Sequence, residues 1–124
     1  MILLLDTYVV LWWMAGEQDL VGEEARAAIE MGTPVLVSAV VLWEVAIKRR
    51  LGKLDAPDDL LGQLEKAEVD LLPITPRHAD RVAALPMHHR DPFDRLLVAQ
   101  AESDELLLVT ADADLADYGI ETVW

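Results

Sequence analysis

The chain has 124 residues, enough for one compact domain with a sizeable core and too few for two domains. Hydrophobic residues make up 53% and charged residues 27%, a balance typical of a globular protein and not of a disordered one. The formal net charge of −13 disfavours general nucleic-acid binding through basic side chains and favours a cationic partner, either metal ions or a basic protein. The chain contains no cysteine, which excludes disulfides, thiolate zinc sites and cysteine nucleophiles.

The sequence gives no sign of a membrane or secretory segment. No apolar run reaches the roughly 20 residues that a membrane helix requires, and the segment after Met1 lacks the basic region and cleavage site of a signal peptide. We therefore expect a cytoplasmic protein without a membrane partner. The basic residues are few but clustered at Lys48, Arg49, Arg50 and Lys53, and such a corner can hold a phosphate backbone locally.

Short apolar runs alternate with segments of helical periodicity along the chain. The first run, residues 2–5, is continuous, as expected for a strand that is buried on both faces. Four more strands are predicted, at residues 35–37, 69–74, 106–109 and 120–123. This alternation predicts an α/β protein in which helices cover both faces of a parallel sheet of five strands, all within one domain, 1–124.

Capping and breaking residues set the predicted helices. The first two helices are expected at residues 7–14 and 23–31. Ser38 caps a helix that runs to about residue 51 and ends at Gly52, and Pro57 opens a helix that ends near residue 68. The remaining helices are predicted after the Thr75–Pro76 and Asp91–Pro92 pairs, through residues 85 and 103, with a short one at 112–118.

Four carboxylates are predicted to start from the same edge of the sheet. Asp6 follows the first strand directly, and Asp112 follows the fourth. Glu44 lies in the helix after the second strand, and Asp94 lies in the first turn of the helix after Asp91. Because ligands of open parallel sheets bind at the carboxyl ends of the strands, these four acids are the candidate site.

Each acid also has a purely structural interpretation. Asp6 and Asp112 are good helix N-caps, and Asp94 suits the first turn of a helix. Asp91 is favoured as a cap over a catalytic residue. Glu44 resists such an explanation, because it is the only charged residue of the apolar segment 38–47 and is costly to bury unless it is paired or bound to metal.

Converging carboxylates repel one another unless a cation neutralises them. Oxygen ligands without soft ligands indicate a hard ion such as Mg²⁺ or Mn²⁺. Such a centre suits phosphodiester hydrolysis, and it answers the objection from net charge, because bound cations would hold the phosphate.

The histidines and tryptophans are weaker candidates. His78 is expected on the surface or in packing, whereas His88 and His89 are expected to form local hydrogen bonds first and substrate contacts second. The tryptophans Trp12 and Trp43 are expected in the core or a protein interface first, and only weakly as platforms for bases.

Five segments together resemble the PIN-domain toxins of the VapC type. They are LLDT at 4–7, SAVVLWEVAIK at 38–48, LGKL at 51–54, HRDPFDRLLVAQA at 89–101 and TAD at 110–112. The resemblance covers nearly the whole chain and preserves the order of the four acidic segments. It implies an α/β/α sandwich with a parallel sheet.

The resemblance also implies roles for particular residues. The family's four acidic positions fall on Asp6, Glu44, Asp94 and Asp112, which would bind Mg²⁺ or Mn²⁺ and cleave RNA. It implies a homodimer and an antitoxin protein whose C-terminal segment occupies the active-site groove. A basic antitoxin arm would suit the charge of −13, and an amphipathic helix would suit a groove lined by residues such as Trp12.

The sequence departs from that family at two places. Tyr8 stands where relatives often have a small polar residue or histidine, and Leu115 stands where an aromatic residue is common. Because Asp112 and Asp114 are two residues apart, either can be the fourth acid.

Two alternatives stay open. An aspartyl-nucleophile phosphatase would require a second aspartate two residues after Asp6, where this chain has Tyr8. A non-catalytic binding module would use the acids only as helix caps. Glu44 separates these interpretations, because a purely structural Glu44 could be replaced by Gln without loss of activity.

Overall fold

The computed structural model describes residues 1–124, which form five strands, six α-helices and two short 3-10 helices. The strands are β1 (Leu3–Leu5), β2 (Val35–Ser38), β3 (Asp70–Leu72), β4 (Leu107–Val109) and β5 (Thr122–Val123). The α-helices are α1 (Thr7–Met14), α2 (Glu23–Glu30), α3 (Ala39–Arg50), α4 (Leu60–Lys66), α5 (Pro76–Ala84) and α6 (Pro92–Ser103). The 3-10 helices are Gln18–Leu20 and Ala113–Tyr118. None of these helices combines the length and the hydropathy needed to cross a membrane.

The five strands form one sheet in the order β3-β2-β1-β4-β5, and every neighbouring pair is parallel. β1 lies at the centre, with Leu3 opposite Val35 of β2 and Leu5 opposite Val109 of β4. The chain builds one half of the sheet outward from β1 and then returns to build the other half. The switch point therefore lies between β1 and β4, where open parallel sheets leave a crevice for ligands.

Helices cover the sheet on both faces. Leu3, Leu4 and Leu5 are all buried, although successive side chains of a strand point to opposite faces. On one face, Val10 of α1 and Leu64 of α4 line a small apolar pocket together with Leu5. Helix α6 contacts α3, α5 and β4. The predicted α/β/α sandwich with a five-stranded parallel sheet is confirmed.

Most predicted elements are confirmed, and the differences have local causes. Helix α4 begins at Leu60, not at the predicted Pro57, because Asp59 is the N-cap and accepts a hydrogen bond from the N–H of Gly62. The last predicted helix is a 3-10 helix. Ser38 caps α3 as expected, by accepting from the N–H of Val40, and Gly52 follows α3 with a positive φ of 70°.

Candidate active site

Asp6 and Asp112 stand at the switch point of the sheet. Asp6 follows β1 and caps α1, where its Oδ1 accepts from the N–H of Val9 at 3.1 Å. Asp112 follows β4 and caps the second 3-10 helix, where it accepts from the N–H of Asp114 at 3.0 Å. Because β1 and β4 are parallel neighbours, both carboxylates lie at the same edge. The capping and the site interpretations of these two acids are therefore compatible.

Glu44 is buried, with only 4% of its surface exposed, and both of its carboxylate oxygens have partners. The hydroxyl of Thr7 donates to Oε1 at 2.5 Å, and the Nζ of Lys48 lies 2.5 Å from Oε2. The expected need for a partner is met by a hydroxyl from α1 and by an ammonium group one turn further along α3. A paired buried carboxylate is held in one orientation, as a ligand must be.

Asp94 and Asp112 converge on a histidine. The Nε2 of His89 lies 3.3 Å from Oδ2 of Asp112 and 3.7 Å from Oδ2 of Asp94. One potential ligand atom from each of the three residues falls within 4.8 Å of the others. Helix α6 presents Asp94 from its first turn, and the loop before α6 brings His89 to the same place.

Mutual repulsion and burial perturb two of the acids. Burial, reinforced by the charges of Asp91 and Glu44, raises the pKa of Asp94 from 3.8 to about 7. Burial also raises the pKa of Asp6, although a hydrogen bond with Thr110 opposes the shift. The charge of Glu44 acts on both Asp6 and Asp94, and the charge of Asp112 acts on Asp6, so the four predicted acids form one electrostatic cluster.

Asp91 caps α6 and also acts electrostatically on Asp94. Its Oδ1 accepts from the N–H groups of Phe93 and Asp94, which confirms the predicted N-cap. Its Oδ2 lies 3.7 Å from the Nζ of Lys48, and its own N–H donates to Nδ1 of His89 at 3.1 Å. Asp114, the other candidate, contributes its backbone N–H to Asp112.

The basic cluster of the sequence is divided by the fold. Lys48 is directed to Glu44 and Asp91, and Arg49 pairs with Asp58. The expectation that these side chains together hold a phosphate backbone is therefore limited to Arg50 and Lys53. Lys48 belongs to the acidic cluster, and the i, i+4 spacing from Glu44 was the signal for it.

The donor set fits a hard divalent cation. The candidate ligands Asp6, Glu44, Asp94 and Asp112 offer carboxylate oxygens, which Mg²⁺ and Mn²⁺ prefer. Burial is the largest cause of the raised pKa values of Asp6 and Asp94, and repulsion from neighbouring carboxylates adds to both shifts. A divalent ion would relieve that repulsion.

Aromatic side chains form two groups, one between α3 and α6 and one on α1. Trp43 is 49% exposed and meets the ring of Phe93 edge-on, with ring centroids 4.9 Å apart. On α1, Trp12 packs between Tyr8 and Trp124. A shallow groove of about 270 Å³ beside it is lined mainly by apolar residues, including Tyr8, Trp12 and Leu54.

The histidines divide into two kinds. His78 was expected on the surface or in packing, and it is buried, where it forms the capping box of α5 and contacts Gln100 and Asp104. His89 is expected to form local hydrogen bonds first and substrate contacts second; it accepts a local bond from Asp91 and also lies against Asp112 of the cluster. No spacing rule signals this, because the contacts depend on how the loop before α6 folds.

Comparisons with known proteins find a matching family and several similar structures. The model of the PIN domain family matches residues 3–121. The chain is structurally similar to VapBC2 of Rickettsia felis bound to a promoter DNA fragment, with a TM-score of 0.72 and 13% identity over 99% of this chain and 98% of that one. It is also similar to DNA-bound VapBC of Salmonella typhimurium, with a TM-score of 0.71 and 19% identity over 99% and 97% of the two chains.

A third similar structure is VapBC-5 of Mycobacterium tuberculosis, from the VapBC family of toxin–antitoxin systems, with a TM-score of 0.60 and 24% identity over 98% and 97% of the two chains. No match was found among curated protein sequences. At these identities the structures establish the fold, and the family model, which spans nearly the whole chain, establishes the family. The chain belongs to the PIN-domain family.

Proposed function

We propose that this chain is a metal-dependent endoribonuclease and the VapC-type toxin of a toxin–antitoxin pair, with residues 1–124 as a single PIN domain. The observation that carries the proposal is the electrostatic coupling of Asp6, at the switch point of the sheet, with Glu44, Asp94 and Asp112. The VapBC complexes among the similar structures support the toxin assignment.

The four acids are proposed as the ligands of Mg²⁺ or Mn²⁺. When bound, the ion would supply a water nucleophile and neutralise charge on the phosphate of RNA. The chain's own contribution is orientation. Capping hydrogen bonds hold Asp6 and Asp112, whereas the hydroxyl of Thr7 and the ammonium of Lys48 hold Glu44. Asp94 must lose its proton to serve as a ligand, because its pKa is about 7 in the free cluster.

The proposed protein partner is an antitoxin, and the proposed assembly is a homodimer. The net charge of −13 favours a basic segment, and the apolar groove beside Trp12 favours an amphipathic one. The concentration of negative charge also explains how an acidic toxin can be silenced. A basic side chain that entered the carboxylate cluster would replace the metal as the neutralising charge.

The test compares wild-type protein with Asp6→Asn and Glu44→Gln, free of antitoxin, on total cellular RNA with and without Mg²⁺ or Mn²⁺. We expect discrete cleavage by the wild type only when metal is present and none by either variant. Asparagine keeps the capping oxygen that Val9 requires, so loss of activity in a folded Asp6→Asn protein reports chemistry. Equal cleavage by the variants would contradict the four-carboxylate mechanism. A folded, metal-binding wild type that cleaves no RNA would favour a binding module.

A further inference from the structure

Contacts of both its backbone and its ring fix His89 at the carboxylate cluster. Its N–H donates to the hydroxyl of Tyr118 at 2.9 Å, and that hydroxyl also contacts the carbonyl of His89. Its Nδ1 accepts from the N–H of Asp91 at 3.1 Å. A loop residue with this many defined partners has little freedom to reorient.

The contacts of Nδ1 determine which tautomer the ring adopts. Because Nδ1 accepts a backbone N–H, it carries no proton, and in the neutral imidazole the proton must then be on Nε2. Nε2 lies 3.3 Å from Oδ2 of Asp112 and 3.7 Å from Oδ2 of Asp94. Rotating the ring by 180° would forfeit all three contacts.

This geometry argues against His89 as a metal ligand. An imidazole that binds metal through Nε2 needs its proton on Nδ1, and it donates that proton to an acceptor. Here Nδ1 faces a donor, the N–H of Asp91, which is itself fixed at the start of α6. Ligation by Nε2 would therefore set two N–H groups against each other.

We propose that His89 is a positioning residue of the candidate metal centre. Through the proximity of Nε2 to both carboxylates, it orients Asp112 and sets its spacing from Asp94. The inference rests on the proposed function, since it assigns a role within the same site, but it concerns metal affinity, which can be measured without any substrate.

A buried scaffold behind His89 supports this role. Arg95 is 9% exposed and donates to the hydroxyl of Tyr118 at 3.2 Å. It also donates to the carbonyls of Pro86 at 2.9 Å and Val82 at 3.1 Å. Arg95 thus ties the end of α5 to the loop that carries His89, and Tyr118 joins that loop to the 3-10 helix that Asp112 caps. The position of the imidazole relative to Asp112 is therefore set by the fold.

The experiment measures Mn²⁺ affinity by following the electron paramagnetic resonance signal of free Mn²⁺ during titration of the full chain. The variants are His89→Leu, which removes the donor, and His89→Gln, whose amide N–H retains one. His88→Leu is the matched control, because it makes the same substitution at the adjacent histidine, whose ring packs edge-on against Tyr118. Circular dichroism establishes that each variant is folded.

We expect His89→Leu to weaken Mn²⁺ binding about 10-fold or more, His89→Gln to recover most of the affinity and His88→Leu to match the wild type. If His89→Leu binds Mn²⁺ as tightly as the wild type or more tightly, the inference is wrong and the proposed function stands. If the wild type itself binds no Mn²⁺, both are wrong.

A second measurement needs no destabilising variant. Long-range proton–nitrogen correlation spectra of ¹⁵N-histidine-labelled wild type, with His89 assigned by comparison with His89→Gln, report the tautomer. We expect the Nε2–H form both without metal and with saturating Mg²⁺. An Nδ1–H form in the Mg²⁺-bound protein would identify His89 as a direct ligand and overturn the positioning role.

Discussion

The Nζ of Lys48 lies 2.5 Å from Oε2 of Glu44, one turn earlier on the same helix. Partial burial alone lowers the pKa of Lys48, but the hydrogen bond and charge of Glu44, together with the charge of Asp91, raise it above its usual value. The ammonium group therefore stays charged at the edge of the acidic cluster. In the absence of metal, it neutralises part of the charge that the chain has concentrated there.

Lys48→Met should destabilise the metal-free protein by about 1–3 kcal/mol, because Glu44 would stay buried with only Thr7 as a partner. The measurement is urea unfolding at pH 8 in the presence of EDTA. The matched control is Arg49→Met, whose partner Asp58 is exposed and whose loss should cost about 0–1 kcal/mol. Equal losses from the two variants would mean that Glu44 does not depend on Lys48.

The raised pKa of Asp94 predicts an unusual pH dependence of stability for the metal-free protein. Its folded-state pKa of about 7 lies above the ordinary value of 3.8, so between these values the folded state binds more protons than the unfolded state. The free energy of unfolding in EDTA should therefore fall as the pH rises from about 4 to about 7. Asp94→Asn should flatten this dependence.

The same urea titration with saturating Mg²⁺ provides the control for Asp94. Because a metal ion binds the ionised carboxylate, stability should no longer fall as the pH rises through the same range. A wild type in EDTA whose stability rises steadily through this range would contradict the raised pKa of Asp94.

Gln100 connects separate parts of the fold through a buried hydrogen-bond network. Its Oε1 accepts from the hydroxyl of Ser38 at 2.6 Å, and its Nε2 lies 3.3 Å from Nδ1 of His78. Gln100→Leu should cost about 2–3 kcal/mol in the free energy of unfolding, because it leaves buried polar groups without partners. Gln63→Leu, at an exposed position of α4, should change stability by less than about 0.5 kcal/mol. If Gln100→Leu leaves the free energy of unfolding unchanged, the buried hydrogen bonds of Gln100 contribute little to stability.

Tyr118→Phe removes the hydroxyl that accepts from His89 and Arg95. We expect a loss of about 1–2 kcal/mol in unfolding free energy, because the N–H of His89 and one N–H of the largely buried Arg95 lose their acceptor. Tyr8→Phe is the control, since Tyr8 is 52% exposed. If both variants unfold at the same urea concentration, the hydroxyl of Tyr118 does not stabilise the loop.

The sequence could predict the site where backbone pattern alone determines it. Asp6 and Asp112 are fixed by the ends of β1 and β4, and the isolation of Glu44 among apolar residues indicated that it needed a partner. The partners themselves were harder. Lys48 follows from helical spacing, but Thr7 reaches Glu44 only because α1 packs against α3. Contacts between distant segments depend on tertiary packing, which local patterns do not encode.

The errors have different origins. Pro57 is compatible with a first helical turn, yet Asp59 provides the capping oxygen and α4 begins after it. For His89 the sequence predicts local hydrogen bonds first and substrate contacts second; the local bond with Asp91 is present, whereas the contacts with Asp94 and Asp112 were not predicted. The hydrogen bond from Asp91 to its Nδ1 defines a different role, which requires knowledge of the loop's path.

The acids that cap helices also determine how an inactive form of this protein should be made. Replacing Asp6 or Asp112 by alanine would remove a helix cap together with a charge, at a cost of about 1 kcal/mol for the cap alone. Asparagine differs from aspartate by one terminal group and keeps the accepting oxygen. A doubly substituted Asp6→Asn, Asp112→Asn chain should therefore keep its fold and both helix caps while it loses two of the four proposed metal ligands.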